Sequence, residues 1–272
     1  MPESNATPVE ILFKAIEEVL DEGSIAALVT VTSGQRNVGK KLLIAESGSV
    51  TGSLGDAMLD KIIIAHAAKF LATRDDAHLF RVIEFAPDLA DWTDTTVLFE
   101  RLQPEPKLVI CGAGHVGAAL ARLASFTGYK ATLIDDRPEF VTRERFPDER
   151  IQLKSAAHWA EAVEDAIGNG HGVSVAVVTR GHNEDEECMR AVMATNPDYV
   201  GLIGSKRRTN IVIERLRQAG IAEDKLSQIH APVGLDIGAV TPEEVALSIL
   251  AEIVANHRGG RGGSLSAWRR HA

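Results

Sequence analysis

The chain has 272 residues, of which 45% are apolar and 25% charged, and its formal net charge is -9. This composition is ordinary for a globular protein with a sizeable core, and the length predicts one large or two modest domains. No stripe of Lys and Arg interleaved with aromatic residues offsets the acidic balance, so the charge pattern needed to hold a nucleic-acid backbone is missing. Nucleic acid is therefore not expected as a partner.

The cysteines and the first residues of the chain restrict its compartment. Cys111 and Cys188 are the only cysteines, and neither lies at metal-ligand spacing, so we expect neither a disulfide framework nor a structural zinc. The N-terminal residues lack the basic start and apolar run of a secretory signal. No apolar segment approaches the roughly 20 residues of a membrane span. These observations predict a cytoplasmic protein without a membrane partner.

The first part of the chain, residues 1–103, predicts a small α/β domain from its apolar periodicity. Its predicted elements are a helix over 8–21, strands over 26–31 and 41–45, and a helix over about 57–72. The segment Gly52–Asp56 precedes the last of these helices. Its glycines either let a ligand or another strand approach the backbone closely or simply form a loop that leads into the helix.

Gln103-Pro104-Glu105-Pro106 is typical of a short stiff connector. Beyond it, continuous apolar runs alternate with amphipathic segments, which predicts a parallel sheet covered by helices on both faces. We assign residues 107–257 to this second domain. Its predicted elements are strands over 108–111, 131–134, 173–178 and 200–203 and helices over 115–126, 156–167, 184–194 and 206–219.

A G-x-G-x-x-G sequence, Gly112–Gly117, directly follows the first of these strands and opens the next helix. In dinucleotide-binding turns the three glycines permit a tight turn, close approach of a phosphate and close helix packing, and the helix N-terminus favours an anion. Asp135 and Asp136 end the second strand, where a carboxylate can accept hydrogen bonds from a ribose or another vicinal diol. The second domain is thus predicted to be Rossmann-like and to bind a phosphate-bearing cofactor, the alternative being a purely structural turn.

Polar clusters follow two further predicted strands. His182 is either a ligand contact or proton carrier, or part of a helix start capped by Asn183 or Asp185. The segment Gly201–Arg208 places three cations at a helix start, where the helix dipole disfavours them. It therefore predicts a nearby anion or, alternatively, a solvated helix face.

A last glycine-rich loop, Ala231–Gly238, mixes glycine with apolar residues as a ligand-lining loop does. Thr241, Pro242 and Glu244 follow it and predict an N-capped helix with a capping box. Residues 258–272 contain too little apolar surface to fold alone, so we expect a disordered basic tail or a basic arm that docks on an acidic partner.

The chain contains no G-x-S-x-G elbow and no H-E-x-x-H or H-x-E…C-x-x-C pattern. We therefore assign no catalytic residue, metal ligands stay unknown, and His115 is left open between a ligand contact and a helix start. The candidate cofactor-binding residues are Gly112, Gly114, His115, Gly117, Asp135, Asp136, His182, Gly204, Ser205, Lys206, Gly234 and Asp236.

The C-terminal half resembles the xanthine dehydrogenase accessory protein (XdhC) family. The resemblance lies in Gly112–Gly117, in Ile134–Phe140 with Arg145-Phe146-Pro147, in Gly201–Arg207, and in Ala231–Gly238 with Thr241–Glu244. It implies a homodimeric, non-catalytic chaperone that binds the molybdenum cofactor (molybdopterin) and protects it while its sulfido ligand is installed. Such a chaperone delivers the cofactor to a molybdenum hydroxylase such as xanthine dehydrogenase, with a cysteine desulfurase as a further partner.

The N-terminal half departs from the family pattern. Members carry a glycine-rich turn of the form Gly-Ser-Ile-Gly-Gly-Gly-Cys, whereas here Gly52–Gly55 is followed by Asp56-Ala57-Met58. If the missing cysteine handles molybdenum or sulfur in relatives, this chain uses another residue, such as Cys111, or has a different role. The position of Cys111 at the end of an apolar strand by itself favours a small core residue over a nucleophile. Two alternatives remain open, an NAD(P)-dependent oxidoreductase that uses the same loop with Asp135 and a scaffold that docks a sulfurtransferase or the hydroxylase.

Overall fold

The computed structural model describes residues 7–73, 75–168, 170 and 172–266. The chain divides into two compact units, Met1–Pro104 and Glu105–Ala272. The tail prediction for 258–272 falls partly outside the described residues, since residues 267–272 are not among them.

The first unit is a five-stranded sheet with a helix on each face. Its elements are α1 (Pro8–Asp21), β1 (Ala26–Ser33), β2 (Lys41–Ala45), β3 (Val50–Gly52), α2 (Ala57–Leu71), β4 (Ala77–Arg81) and β5 (Thr96–Leu102). The strands run antiparallel in the order β3-β2-β1-β5-β4. The predicted helices and two strands are present, whereas β3, β4 and β5 were not predicted.

Side chains alternate across β1 and divide the core of this unit into two layers. Val29 and Val31 pack with Ile63 and Phe70 of α2, and Ala26 packs on the other face with α1. Alternation of this kind is what the period-2 geometry of a strand imposes on a sheet that is covered on both faces.

The second unit is a six-stranded parallel sheet with helices on both faces, which confirms the predicted α/β class. Its elements are β6 (Lys107–Cys111), α3 (His115–Phe126), β7 (Lys130–Asp135), β8 (Ile151–Ser155), α4 (Trp159–Ile167), β9 (Val173–Val177), α5 (His182–Ala194), β10 (Tyr199–Leu202), α6 (Lys206–Gln218), α7 (Glu223–Leu226), β11 (Ile229–His230) and α8 (Pro242–His257).

The strand order β8-β7-β6-β9-β10-β11 is the Rossmann order, in which the chain reverses direction across the sheet between β6 and β9. Helices α3 and α8 cover one face, and α4, α5 and α6 cover the other. The predicted capping box is present at Thr241, whose hydroxyl accepts from the Glu244 N–H. The structure adds β8, α7 and the two-residue β11 to the predicted elements, and it moves several helix ends by one to three residues.

No helix among the described residues is long and apolar enough to cross a membrane.

Candidate functional site

A cavity of about 380 Å³ lies at the carboxyl edge of the parallel sheet, next to the switch point between β6 and β9. Open α/β sheets bind their ligands at this position. Six of the sequence-predicted residues line the cavity, together with Arg137, Trp159, Arg180 and Arg208. The six are Gly112, Gly114, His115, Asp135, Asp136 and Gly204.

The glycine loop between β6 and α3 has the shape that its sequence predicts. Gly112 has φ +111°, and a Cβ there would lie 2.7 Å from the carbonyl oxygen of Val178. A Cβ on Gly117 would collide with the carbonyl oxygen of Gly112, so this glycine lets the helix pack on the turn. Gly117 thus shapes the loop and does not line the cavity.

Gly114 is the N-cap of α3 and faces open space. Nothing lies within 4 Å of a Cβ built on it, and no side chain in the described part of the chain caps this helix. The first N–H groups of α3 therefore point out of the helix start without a side-chain acceptor, which is the arrangement that binds phosphate at helix N-termini.

Asp135 stabilises the glycine loop from within. Its carboxylate accepts hydrogen bonds from the Ala113 N–H at 2.6 Å, from the Arg137 N–H at 3.0 Å and from the Arg137 guanidinium at 2.8 and 3.0 Å. Burial alone would raise the pKa of Asp135, but the bonds from Arg137 and Ala113 outweigh it and hold the pKa below its usual value. This carboxylate therefore already accepts from protein donors on both oxygens, and its contact with a ribose or another diol stays a prediction.

Asp136 is partly exposed and lines the cavity. It forms a bidentate ion pair with Arg180, with N–O distances of 2.9 and 3.2 Å. Arg137 stacks over the Phe140 ring at 3.6 Å from the centroid. The cavity wall thus carries both signs of charge close to the start of α3.

Arg208, in the cavity wall, forms an ion pair with a buried carboxylate. Asp185 is fully buried, it accepts from the Thr179 hydroxyl, and the Nε of Arg208 donates to it at 2.9 Å. The anion expected beside the cations at the start of α6 is, for Arg208, this internal carboxylate. Asp185 is consequently not the solvent-facing helix cap that the sequence allowed.

The remaining predicted residues lie elsewhere. Ser205 caps α6 through its hydroxyl, and Lys206 is exposed and does not line the cavity. Gly234 donates its N–H to Glu252 at 2.7 Å, and Asp236 is exposed; neither lines the cavity. His182 begins α5, and its side chain is outside the described part of the chain.

The two cysteines are core residues of the second unit. Cys111 and Cys188 are both fully buried free thiols. Burial and the neighbouring Cys111 sulfur strongly raise the pKa of the Cys188 thiol, which keeps it protonated. Cys111 does not line the cavity, so it is not placed to take over the role of a surface cysteine. Within the described residues no group of three His, Cys, Asp or Glu side chains could hold a metal ion.

The glycine-containing turn of the first unit is a capped helix start. Asp56 is the N-cap of α2, and its carboxylate accepts from the N–H groups of Met58 and Leu59 at 2.8 and 3.0 Å. The indole N–H of Trp92 donates to the same carboxylate at 3.3 Å. The bond from the Leu59 N–H, together with these others, lowers the pKa of Asp56.

Fold and site together define a Rossmann-fold protein whose glycine loop leads into a helix start without a side-chain cap. The family described as the XdhC Rossmann domain matches residues 108–253, more than half of the chain, and the XdhC and CoxI family matches residues 19–82. The chain belongs to the XdhC family.

Three curated relatives extend the comparison. The chain is 30% identical over 228 residues to the uncharacterized protein YqeB of Escherichia coli K12, covering 82% of this chain and 41% of that protein. It is 31% identical over 164 residues to a probable subunit of xanthine dehydrogenase from Bacillus subtilis 168, covering 60% and 47%. It is 26% identical over 153 residues to the molybdenum cofactor insertion chaperone PaoD of E. coli K12, covering 56% and 41%. The chain thus spans less than half the length of these relatives.

Among solved structures, one of a xanthine dehydrogenase from Bacillus halodurans aligns with a TM-score of 0.66 and 20% sequence identity. The alignment covers 93% of this chain and 68% of that one. At this identity the likeness establishes the fold.

Proposed function

We propose that the chain binds the molybdenum cofactor through the phosphate of its pterin at Gly112–Gly117 and delivers it to a molybdenum hydroxylase of the xanthine dehydrogenase type. The observation that carries the proposal is the start of α3 at Gly114, which presents N–H groups without a side-chain cap to a cavity, in a chain of the XdhC family. The names of two relatives, a cofactor insertion chaperone and a probable component of xanthine dehydrogenase, support this class of cargo and client.

The residues of the cavity fit a phosphate-bearing pterin. Its volume of about 380 Å³ is within the range of small-molecule sites. The N–H groups of α3 and the guanidinium of Arg180 suit the phosphate, because both donate to an anion. Trp159 adds apolar surface to the wall for the ring system of the pterin.

In this proposal the chain is a carrier, and turnover belongs to the client enzyme. Support of sulfuration, docking of a cysteine desulfurase and assembly as a homodimer belong to the same proposal, and they rest on the resemblance to the family.

The alternative of an NAD(P)-dependent oxidoreductase has less support from the site. Dinucleotide-binding domains use an acid at the end of the second strand for the ribose hydroxyls. Here that acid, Asp135, is almost fully buried and is occupied by Ala113 and Arg137. Only Asp136 would be left to contact a ribose at this position, and it is paired with Arg180.

The test is to purify the chain from a host that makes molybdenum cofactor and to measure molybdenum by mass spectrometry and pterin by fluorescence after oxidation. We expect near-stoichiometric amounts of both in the native chain and neither in Gly114→Asp, whose carboxylate would occupy the N–H groups that the phosphate needs. Transfer is checked by adding the loaded chain to a cofactor-free hydroxylase and following its activity.

A matched control is Gly263→Asp, which adds the same charge at another glycine with open space around the Cβ position. It should carry as much cofactor as the native chain. Equal cofactor content in Gly114→Asp and the native chain would contradict the proposed site. Binding of nicotinamide nucleotides without molybdenum or pterin would favour the oxidoreductase.

A further inference from the structure

We propose that Arg180 is a specificity-determining residue of the cavity, which exchanges Asp136 for the phosphate of the ligand. The inference rests on the proposed function, because it requires a phosphate at the start of α3. It assigns to Asp136 the role of a competitor for Arg180 and not of a ligand contact.

Both partners of the ion pair are attached to the glycine loop. Arg180 follows Thr179, whose Cα lies 3.0 Å from the position of a Cβ on Gly112. Asp136 follows Asp135, which accepts the N–H of Ala113. Since β6 lies between β9 and β7 in the sheet, the pair spans the carboxyl end of the strand that carries the loop. The guanidinium of Arg180 is thus held beside the loop before any ligand arrives.

Arg180 differs from the other arginines of the described cavity wall in the burial of its nearest partner. The nearest carboxylates to Arg208 and Arg137 have side chains that are 0% and 2% exposed, and Arg137 has only a longer second contact, at 3.8 Å, with Asp136. The Asp136 side chain is 30% exposed, and that of Arg180 is 48% exposed. Separating a buried pair leaves an uncompensated charge, whereas a solvent-exposed pair contributes little and is screened. Arg180 is therefore the arginine that can change partners at low cost.

A phosphate is a stronger partner for this guanidinium than a single carboxylate. It carries more negative charge and three acceptor oxygens, and Arg binds such groups in a bidentate geometry. Glu184, whose carboxylate lies 3.6 Å from the Nε of Arg180, is a second and weaker competitor. The exchange predicts that removal of Asp136 strengthens phosphate binding. If Asp136 instead contacted the hydroxyl groups of a ribose, its removal would not strengthen phosphate binding.

The experiment is isothermal titration of the full chain with inorganic phosphate and with pyrophosphate, using the native chain, Arg180→Gln, Asp136→Asn and Gly114→Asp. Arg180→Gln should weaken the binding of phosphate about tenfold, because one charge-assisted contact is lost. Asp136→Asn should tighten it about threefold, because the competing carboxylate is removed. Gly114→Asp should abolish it.

Two controls remove a charge of the same sign outside the cavity. Arg190→Gln removes an arginine paired with Glu186, and Asp165→Asn removes an exposed carboxylate paired with Lys154. Both should bind phosphate within about twofold of the native chain, since distant exposed charges are screened by salt. Thermal unfolding of each variant checks that the fold is retained.

Weaker binding in Asp136→Asn, or unchanged binding in Arg180→Gln, would overturn the exchange. If Gly114→Asp still abolishes binding in that case, the phosphate site of the proposed function stands and only the exchange has failed. Absence of phosphate and pyrophosphate binding in the native chain would overturn both.

Discussion

Two of the glycine-rich turns that lead from a strand into a helix, those before α2 and α3, end differently. The turn before α2 ends at Asp56, whose carboxylate accepts the N–H groups of Met58 and Leu59. The turn before α3 ends at Gly114, which has no side chain to offer. At the first helix start the protein supplies its own anion, and at the second it leaves the position open.

The difference shows why a glycine-rich turn alone does not identify a ligand site. A helix start needs acceptors for its first N–H groups, and a capping carboxylate supplies them as well as a ligand does. The residue at the N-cap decides between the two cases. In the second unit Asp135 holds the turn through the N–H of Ala113, whereas the space around Gly114 is open.

The largest expected effect on stability comes from replacing the Asp135 carboxylate. Asp135→Asn replaces a nearly buried carboxylate that accepts four hydrogen bonds and leaves Arg137 without its main partner. We expect a loss of about 3 kcal/mol in the free energy of unfolding of the second unit, measured by urea denaturation. A loss below about 1 kcal/mol would show that Asp135 does not stabilise the glycine loop.

The same contribution should disappear in acid. The pKa of Asp135 is lowered in the folded chain, so its stabilisation is complete above the unfolded pKa and is lost as the pH falls through the lower folded value. The difference in unfolding free energy between the native chain and Asp135→Asn should therefore be constant from neutral pH to about pH 5 and shrink below about pH 4. A difference that does not change in acid would show that the ionised carboxylate is not what stabilises the loop.

A smaller effect on stability is expected at the turn before α2, which Asp56 caps. Asp56→Ala removes the cap of α2 and the acceptor of the Trp92 indole N–H, which should cost about 1–2 kcal/mol. Thermal denaturation measures this loss, and binding of phosphate to the chain should not change. A fall in phosphate affinity would indicate that the first turn also takes part in the ligand site.

The smallest expected effect on stability is that of Gly114→Asp. The N-cap of α3 is already extended, with φ -63° and ψ -170°, so an aspartate fits without backbone strain. Aspartate exceeds glycine as an N-cap by a few tenths of a kcal/mol, so the Tm should stay the same or rise slightly. A clear fall in Tm would mean that loss of ligand in this variant reflects misfolding.

The sequence predicted the parallel sheet, most of its helices and the cavity-lining glycines, because these depend on local patterns. It did not predict β5, which lies beside a proline-rich stretch, or β11, which is too short to show a period. It also did not show that Asp135 accepts hydrogen bonds from Ala113 and Arg137. Partners such as Ala113 with Asp135, or Arg208 with Asp185, are separated by more than 20 residues, and charge alone does not show which cation meets which carboxylate.

The most direct test of the proposed ligand site is the pterin content of two reciprocal variants purified from a host that makes molybdenum cofactor. Asp56→Gly removes the capping carboxylate at the start of α2, and Gly114→Asp adds one at the start of α3. We predict that Asp56→Gly carries as much pterin as the native chain and that Gly114→Asp carries none. Loss of pterin in Asp56→Gly together with full content in Gly114→Asp would contradict the assignment of the ligand site to the second turn.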